Sequence, residues 1–215
     1  MPNDQQLATL QHIAGLAPVI PVVVVDQVAH AVGLARALVA GGIPAIEITL
    51  RTAAALDAIR AVAAEVEGAV VGVGTVLTPA QLDAAWKAGA RFAVSPGSSP
   101  RLLAAARDHE LPWLPGAATA SECMHLLDEG FRLLKFFPAE AAGGVAALKG
   151  IGGPLPQLGF VATGGIGPDN AASYLKLPNL RAVGGSWLTP PDAVQSGDWA
   201  RIEALAKAAT GLRSG

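Results

Sequence analysis

The chain has 215 residues, 52% apolar and 15% charged, a balance that excludes a disordered or tail-like protein and suits one packed domain. Lys plus Arg number 15 against 17 for Asp plus Glu, with no cationic run, so no nucleic-acid partner is expected. The single cysteine, Cys123, excludes an intrachain disulfide framework, the four histidines lack metal-ligand spacing, and no apolar stretch approaches the roughly 20 residues that span a bilayer.

Taken in chain order, the opening MPNDQQLATL carries no basic leader segment, so a cytoplasmic location is expected, and residues 4–15 are read as a short helix. Apolar, β-prone runs then alternate with helical patterns, at 19–25, 45–49, 69–73, 92–95, 113–114, 133–136, 159–162 and 182–183. Most are continuously apolar, as expected of parallel strands covered on both faces. Asp26 is placed as the cap of a helix running to Ala40. Thr78-Pro79-Ala80-Gln81, Ser99-Pro100 and Thr119-Ala120-Ser121-Glu122 are further helix starts, and Asp198 opens a final helix over 198–210. Gly41-Gly42, Gly89 and Gly130 end helices just before strands. Cys123 and Met124, on one of these helices, are read as packing residues.

Two architectures fit: a single (β/α)8 TIM barrel over 1–215, or an open doubly wound sheet. The open sheet loses its main support because the first strand runs into Asp26-Gln27-Val28 without a glycine-rich dinucleotide turn. Segments 143–159 and 186–197, rich in Gly and Pro, are expected to be loops with short helical pieces.

Lys135 is the one lysine of five embedded in an apolar strand, Leu133-Leu134-Lys135-Phe136-Phe137. Desolvation favours the neutral amine, which is the nucleophile toward a carbonyl; the alternative is a lysine that snorkels to solvent or meets a carboxylate. Glu47 stands between two isoleucines in Ile46-Glu47-Ile48, costly unless it is paired or catalytic. Arg51 and Thr75 stand at strand exits, where a guanidinium suits a carboxylate and a hydroxyl suits a polar substrate atom; a surface salt bridge is the alternative for Arg51. Thr163-Gly164-Gly165-Ile166-Gly167 and Gly184-Gly185-Ser186 follow the seventh and eighth strand candidates, where barrel enzymes commonly hold phosphate; two tight turns would look the same. Ser95-Pro96-Gly97 and Pro115-Gly116 are read as rim-shaping turns.

These residues fall in six ordered motifs: Glu47-Ile48-Thr49-Leu50-Arg51-Thr52, Gly72-Val73-Gly74-Thr75, Phe92-Ala93-Val94-Ser95-Pro96-Gly97, Lys135-Phe136-Phe137-Pro138-Ala139-Glu140, Thr163-Gly164-Gly165-Ile166 and Gly184-Gly185-Ser186-Trp187-Leu188. With them the chain resembles the 2-keto-3-deoxy-6-phosphogluconate (KDPG) and 4-hydroxy-2-oxoglutarate aldolases over nearly its whole length. The resemblance implies a class I aldolase on a (β/α)8 barrel, assembled as a homotrimer, without metal or cofactor. It implies Lys135 as the Schiff-base lysine and Glu47 as the proton shuttle. Arg51, Thr75, Pro96 and Phe137 would hold pyruvate, and Gly164, Gly165, Gly185 and Ser186 the phosphate. The chain departs from the common pattern at Ala162, where relatives often carry proline, and in the small segment Pro115-Gly116-Ala117-Ala118-Thr119, which bear on substrate preference. The competing readings are a phosphosugar isomerase or synthase without an imine, a metal-dependent aldolase, and an inert phosphosugar-binding protein.

Overall fold

The computed structural model describes residues 2–213. Its strands are β1 Val19–Val23, β2 Ala45–Thr49, β3 Val70–Gly74, β4 Ala93–Val94, β5 Trp113–Leu114, β6 Gly116–Ala117, β7 Leu133–Phe136, β8 Gly159–Thr163 and β9 Leu180–Gly185. All pairs are parallel, in the order β5-β4-β3-β2-β1-β9-β8-β7-β6. The two ends of that order, β5 and β6, are halves of one stave interrupted by Pro115, which has no N–H to give the ladder. The Leu114 carbonyl accepts from the Ser95 N–H at 3.2 Å and the Pro115 carbonyl from the Lys135 N–H at 2.8 Å, so the ring closes through this stave. Nine segments therefore form the eight staves of the expected (β/α)8 barrel.

The helices are α1 Asp4–Gly15, α2 Val28–Ala40, α3 Ala55–Glu65, α4 Pro79–Lys87, α5 Pro100–Arg107, α6 Ala120–Asp128, α7 Gly144–Gly152, α8 Ala171–Leu175, α9 Pro191–Ser196 and α10 Trp199–Thr210. Thr78 and Thr119 each form a reciprocal capping box with the glutamine or glutamate three residues on, and Ser99 and Asp198 cap α5 and α10. The Ala118 and Thr119 backbone N–H groups on the Glu122 carboxylate hold it below its usual range, against the opposing effect of burial. Asp26 does not cap α2. The helix begins one residue later than expected, Gln27 occupies the cap position, and no side chain bonds the first turn. Gly42 and Gly89 take φ of +88° and +95° where chains turn from helix to strand, a conformation that disfavours any Cβ.

Two apolar layers result. One lies between staves and helices and takes the outward residues, Ile46 and Ile48 of β2 or Leu134 and Phe136 of β7. The other fills the lower barrel with Ile20, Ala45, Phe92, Leu133, Val161 and Ala182, and α1 plugs its floor with Leu10, Ile13 and Ala14. Cys123 is buried, but Met124 is 54% exposed rather than packed: one residue further round the helix, it leaves the face shared by Cys123 and Leu126. No helix among the described residues is long and apolar enough to cross a membrane.

Candidate active site

Strand periodicity sets which residues enter the barrel. Ala45 and Leu133 point inward, so two residues on, Glu47 and Lys135 do too, above the apolar floor. They lie on the second and sixth of eight staves, opposite one another across the ring. Their side chains meet in the middle: Lys135 Nζ donates to Glu47 Oε1 at 3.2 Å, with 6% and 5% of the side chains exposed. A buried ion pair of this kind gains little stability over apolar residues of the same volume, so its position at the strand exits points to chemistry.

The pair is made possible by missing side chains. A Cβ on Gly74 would stand 2.2 Å from Glu47 Oε1, so β3 must be bare where the carboxylate rests. Lys135 is registered against Gly116 on one side and Val161 on the other. The Phe137 ring centre is 5.3 Å from Nζ, and the Phe137-Pro138 peptide is cis.

The remaining expected residues gather around this mouth at strand exits. Arg51 follows β2 and is exposed, with no hydrogen bond or salt bridge to another described residue, so the surface salt bridge considered for it is absent. Its backbone is oriented by Thr49 and Thr52, whose hydroxyls donate to the Val23 and Val25 carbonyls at the exit of β1. Thr75 follows β3 with φ of +60°, the only non-glycine among the described residues with positive φ. For a β-branched residue that costs about 1–3 kcal/mol, and such strain gathers at functional sites. Pro96 follows β4 in a loop fixed by Ser95, whose hydroxyl donates to the Gly97 carbonyl at 2.6 Å and accepts from the Trp113 indole at 2.9 Å.

β8 and β9 are neighbours, so the two glycine-rich exits adjoin. Gly164 and Gly165 have φ of +107° and +74°, and Glu140 and Ala139 N–H groups bond the Gly164 and Thr163 carbonyls at 3.0 and 2.8 Å. Glu140 also accepts from the buried Tyr174 hydroxyl, and burial, then this bond, raises the phenol above its ordinary range. Gly185 makes room for the Trp187 ring, and Ser186 is exposed beyond it.

Sequence reasoning overlooked Thr163. Its hydroxyl is the one buried side-chain oxygen among the described residues that lacks a hydrogen-bond partner. It is registered against Gly184, whose Cβ would lie 2.2 Å from it, and stands two residues beyond the inward Val161. The available signal was its place immediately before Gly164-Gly165. Ser95 and Glu140 were present in quoted motifs but could not be distinguished there from ordinary loop residues.

A barrel with an opposed amine and carboxylate at its mouth is an arrangement that class I aldolases use, and comparison with known proteins agrees. The family model "Aldolase: KDPG and KHG aldolase" matches residues 10–205. The 2-dehydro-3-deoxy-phosphogluconate aldolase of Pseudoalteromonas atlantica is 52% identical over 95% of each chain. The KHG/KDPG aldolase of Escherichia coli K12 is 52% identical over 93% of each. Among solved structures, Legionella pneumophila KDPG aldolase, with pyruvate captured as a covalent carbinolamine, superposes with a TM-score of 0.91 at 44% identity, covering 93% of this chain and 97% of that one. The chain belongs to the KDPG and KHG aldolase family.

Proposed function

We propose that this protein is a lyase that reversibly cleaves 2-keto-3-deoxy-6-phosphogluconate to pyruvate and glyceraldehyde 3-phosphate through a Schiff base, and that it also cleaves 4-hydroxy-2-oxoglutarate. The observation that carries this is the buried 3.2 Å contact between Lys135 Nζ and Glu47 Oε1 at the barrel mouth. Lys135 gives a proton to Glu47 and attacks the C2 ketone; Glu47 returns that proton to the departing hydroxyl, and loss of water leaves a protonated imine and a free carboxylate. Glu47, directly or through water, takes the C4 hydroxyl proton as the C3–C4 bond breaks. Those electrons move into the imine, releasing the aldehyde and leaving an enamine. Protonation at C3 and hydrolysis then free pyruvate and the amine.

In this reading Arg51 and the strained Thr75 bind the carboxylate of the keto acid, and Pro96 and Phe137 bound the pyruvate pocket. Gly164, Gly165, Gly185 and Ser186 hold the phosphate of the longer substrate, a reading supported by the adjoining exits and by the left-handed conformation of Gly164 and Gly165. Ser186→Ala should raise KM about three- to tenfold for phosphorylated substrate and leave the unphosphorylated one unaffected. An equal rise for both would remove the phosphate assignment.

The deciding experiment is reductive trapping. Borohydride with pyruvate should add pyruvate-derived mass to the peptide carrying Lys135 and abolish turnover. Continued turnover with no such adduct would refute the imine. We further place the enzyme in the cytoplasm as a homotrimer. Supporting this are the buried free thiol of Cys123, suited to a reducing compartment, and exposed Val24, Val28 and Leu77, apolar surface that an assembly would cover. Sedimentation equilibrium tests the assembly.

A further inference from the structure

The chain that leaves the lysine strand runs alongside the glycine exit of β8. Ala139 and Glu140 donate their N–H groups to the Thr163 and Gly164 carbonyls at 2.8 and 3.0 Å, which carries the contact between β7 and β8 beyond both strand ends. Further along the loop, Asn170 donates its amide to the Gly165 carbonyl at 3.1 Å and accepts from the Gly167 N–H at 2.9 Å. The successive carbonyls of Thr163, Gly164 and Gly165 are thus all bonded to protein donors. Carbonyl oxygens repel an anion, so tying them to the protein suits this exit to a phosphate.

Glu140 serves the loop with each of its parts. Its N–H holds Gly164, and its stem fills the space that a side chain at 165 would need: a Cβ there would stand 2.8 Å from Glu140 Cβ and Cγ. Its carboxylate accepts from the hydroxyl of Tyr174, a completely buried residue of α8. Burial keeps that phenol protonated, and therefore a donor. Gly144 leaves room for the pair, since a Cβ at 144 would be 3.3 Å from Glu140 Oε1 and 3.4 Å from the Tyr174 oxygen. Through Glu140 the loop and the helix after it are both fastened to the exit of the lysine strand. The carboxylate has no place in the imine and proton steps, which Lys135 and Glu47 account for.

We infer that Glu140, held by Tyr174, is a positioning residue that sets the shape of the phosphate exit and so the preference for phosphorylated over unphosphorylated keto acids. It acts through Gly164 and Gly165 rather than on a reacting atom. This role rests on the phosphate reading of those glycines.

The test compares kcat and KM of the whole protein for 2-keto-3-deoxy-6-phosphogluconate and for 4-hydroxy-2-oxoglutarate. Tyr174→Phe removes one hydroxyl and keeps the ring that fills the core. It should raise KM for the phosphorylated substrate about three- to tenfold, with kcat and both constants for the unphosphorylated one within about twofold of the parent. Glu140→Ala should do the same at least as strongly. Glu140→Gln keeps the stem and an oxygen for Tyr174, so it should stay within about twofold of the parent on both substrates. If Ser186→Ala raises the phosphorylated KM while Tyr174→Phe and Glu140→Ala do not, the positioning role is overturned and the phosphate reading stands. Equal changes for both substrates in Tyr174→Phe and Glu140→Ala would mark the pair as merely structural and overturn the role, as would a Glu140→Gln protein as impaired as Glu140→Ala. If Ser186→Ala does not separate the two substrates, the phosphate reading falls and this role falls with it.

Discussion

Lys135→Ala should lower turnover by at least about 10⁴-fold and eliminate reductive trapping by pyruvate, because no other amine among the described residues meets Glu47. The substitution also leaves a buried carboxylate without its counter-charge, a loss of about 3–5 kcal/mol, which can consume much of the 5–15 kcal/mol that stabilises a typical domain. Loss of activity alone would therefore confuse chemistry with unfolding. The double variant Lys135→Met with Glu47→Gln separates them. Removing both charges is expected to be neutral or stabilising by about 1–4 kcal/mol, so this protein should melt no earlier than the parent and still be inactive. Measurable turnover in a well-folded double variant would exclude both residues from the reaction.

Glu47→Gln should slow imine formation without abolishing it and lose the proton traffic at C4 and C3. The amide fits the slot left by Gly74 and still offers an oxygen to Lys135 Nζ. Pyruvate should therefore still be trapped on Lys135, while kcat for cleavage falls about 10²–10⁴-fold, the usual worth of a positioned acid/base. Exchange of the pyruvate methyl protons with solvent should slow in parallel, since it uses the same shuttle. An unchanged kcat would take Glu47 out of the mechanism.

Much of this site could be read before the fold was known, for a physical reason. An ionisable group inside a continuously apolar strand is expensive, so Glu47 and Lys135 stand out from sequence alone. What could not be read was which charges face each other. That depends on barrel closure, which the sequence partly disguises: Pro115 splits one stave into two-residue halves, Trp113–Leu114 and Gly116–Ala117. Of the strand begun by Leu180 the sequence alone shows only residues 182–183, because the exposed Arg181 and the Gly184-Gly185 end break the apolar run. Thr163 was missed because a strand-end threonine becomes informative only when its hydroxyl lacks a partner. Helix starts were legible wherever a side chain reaches back to the first turn, as at Thr78 and Thr119. Asp26 failed because it lies one residue outside the cap position, beyond the turn it would have to bond.

The reacting amine and carboxylate are 88 residues apart along the backbone and on opposing staves, so neither half-barrel contains a working centre. Recovery of catalysis during renaturation thus clocks the final union of the two halves. It should trail the return of helical circular dichroism, which local segments can regain on their own.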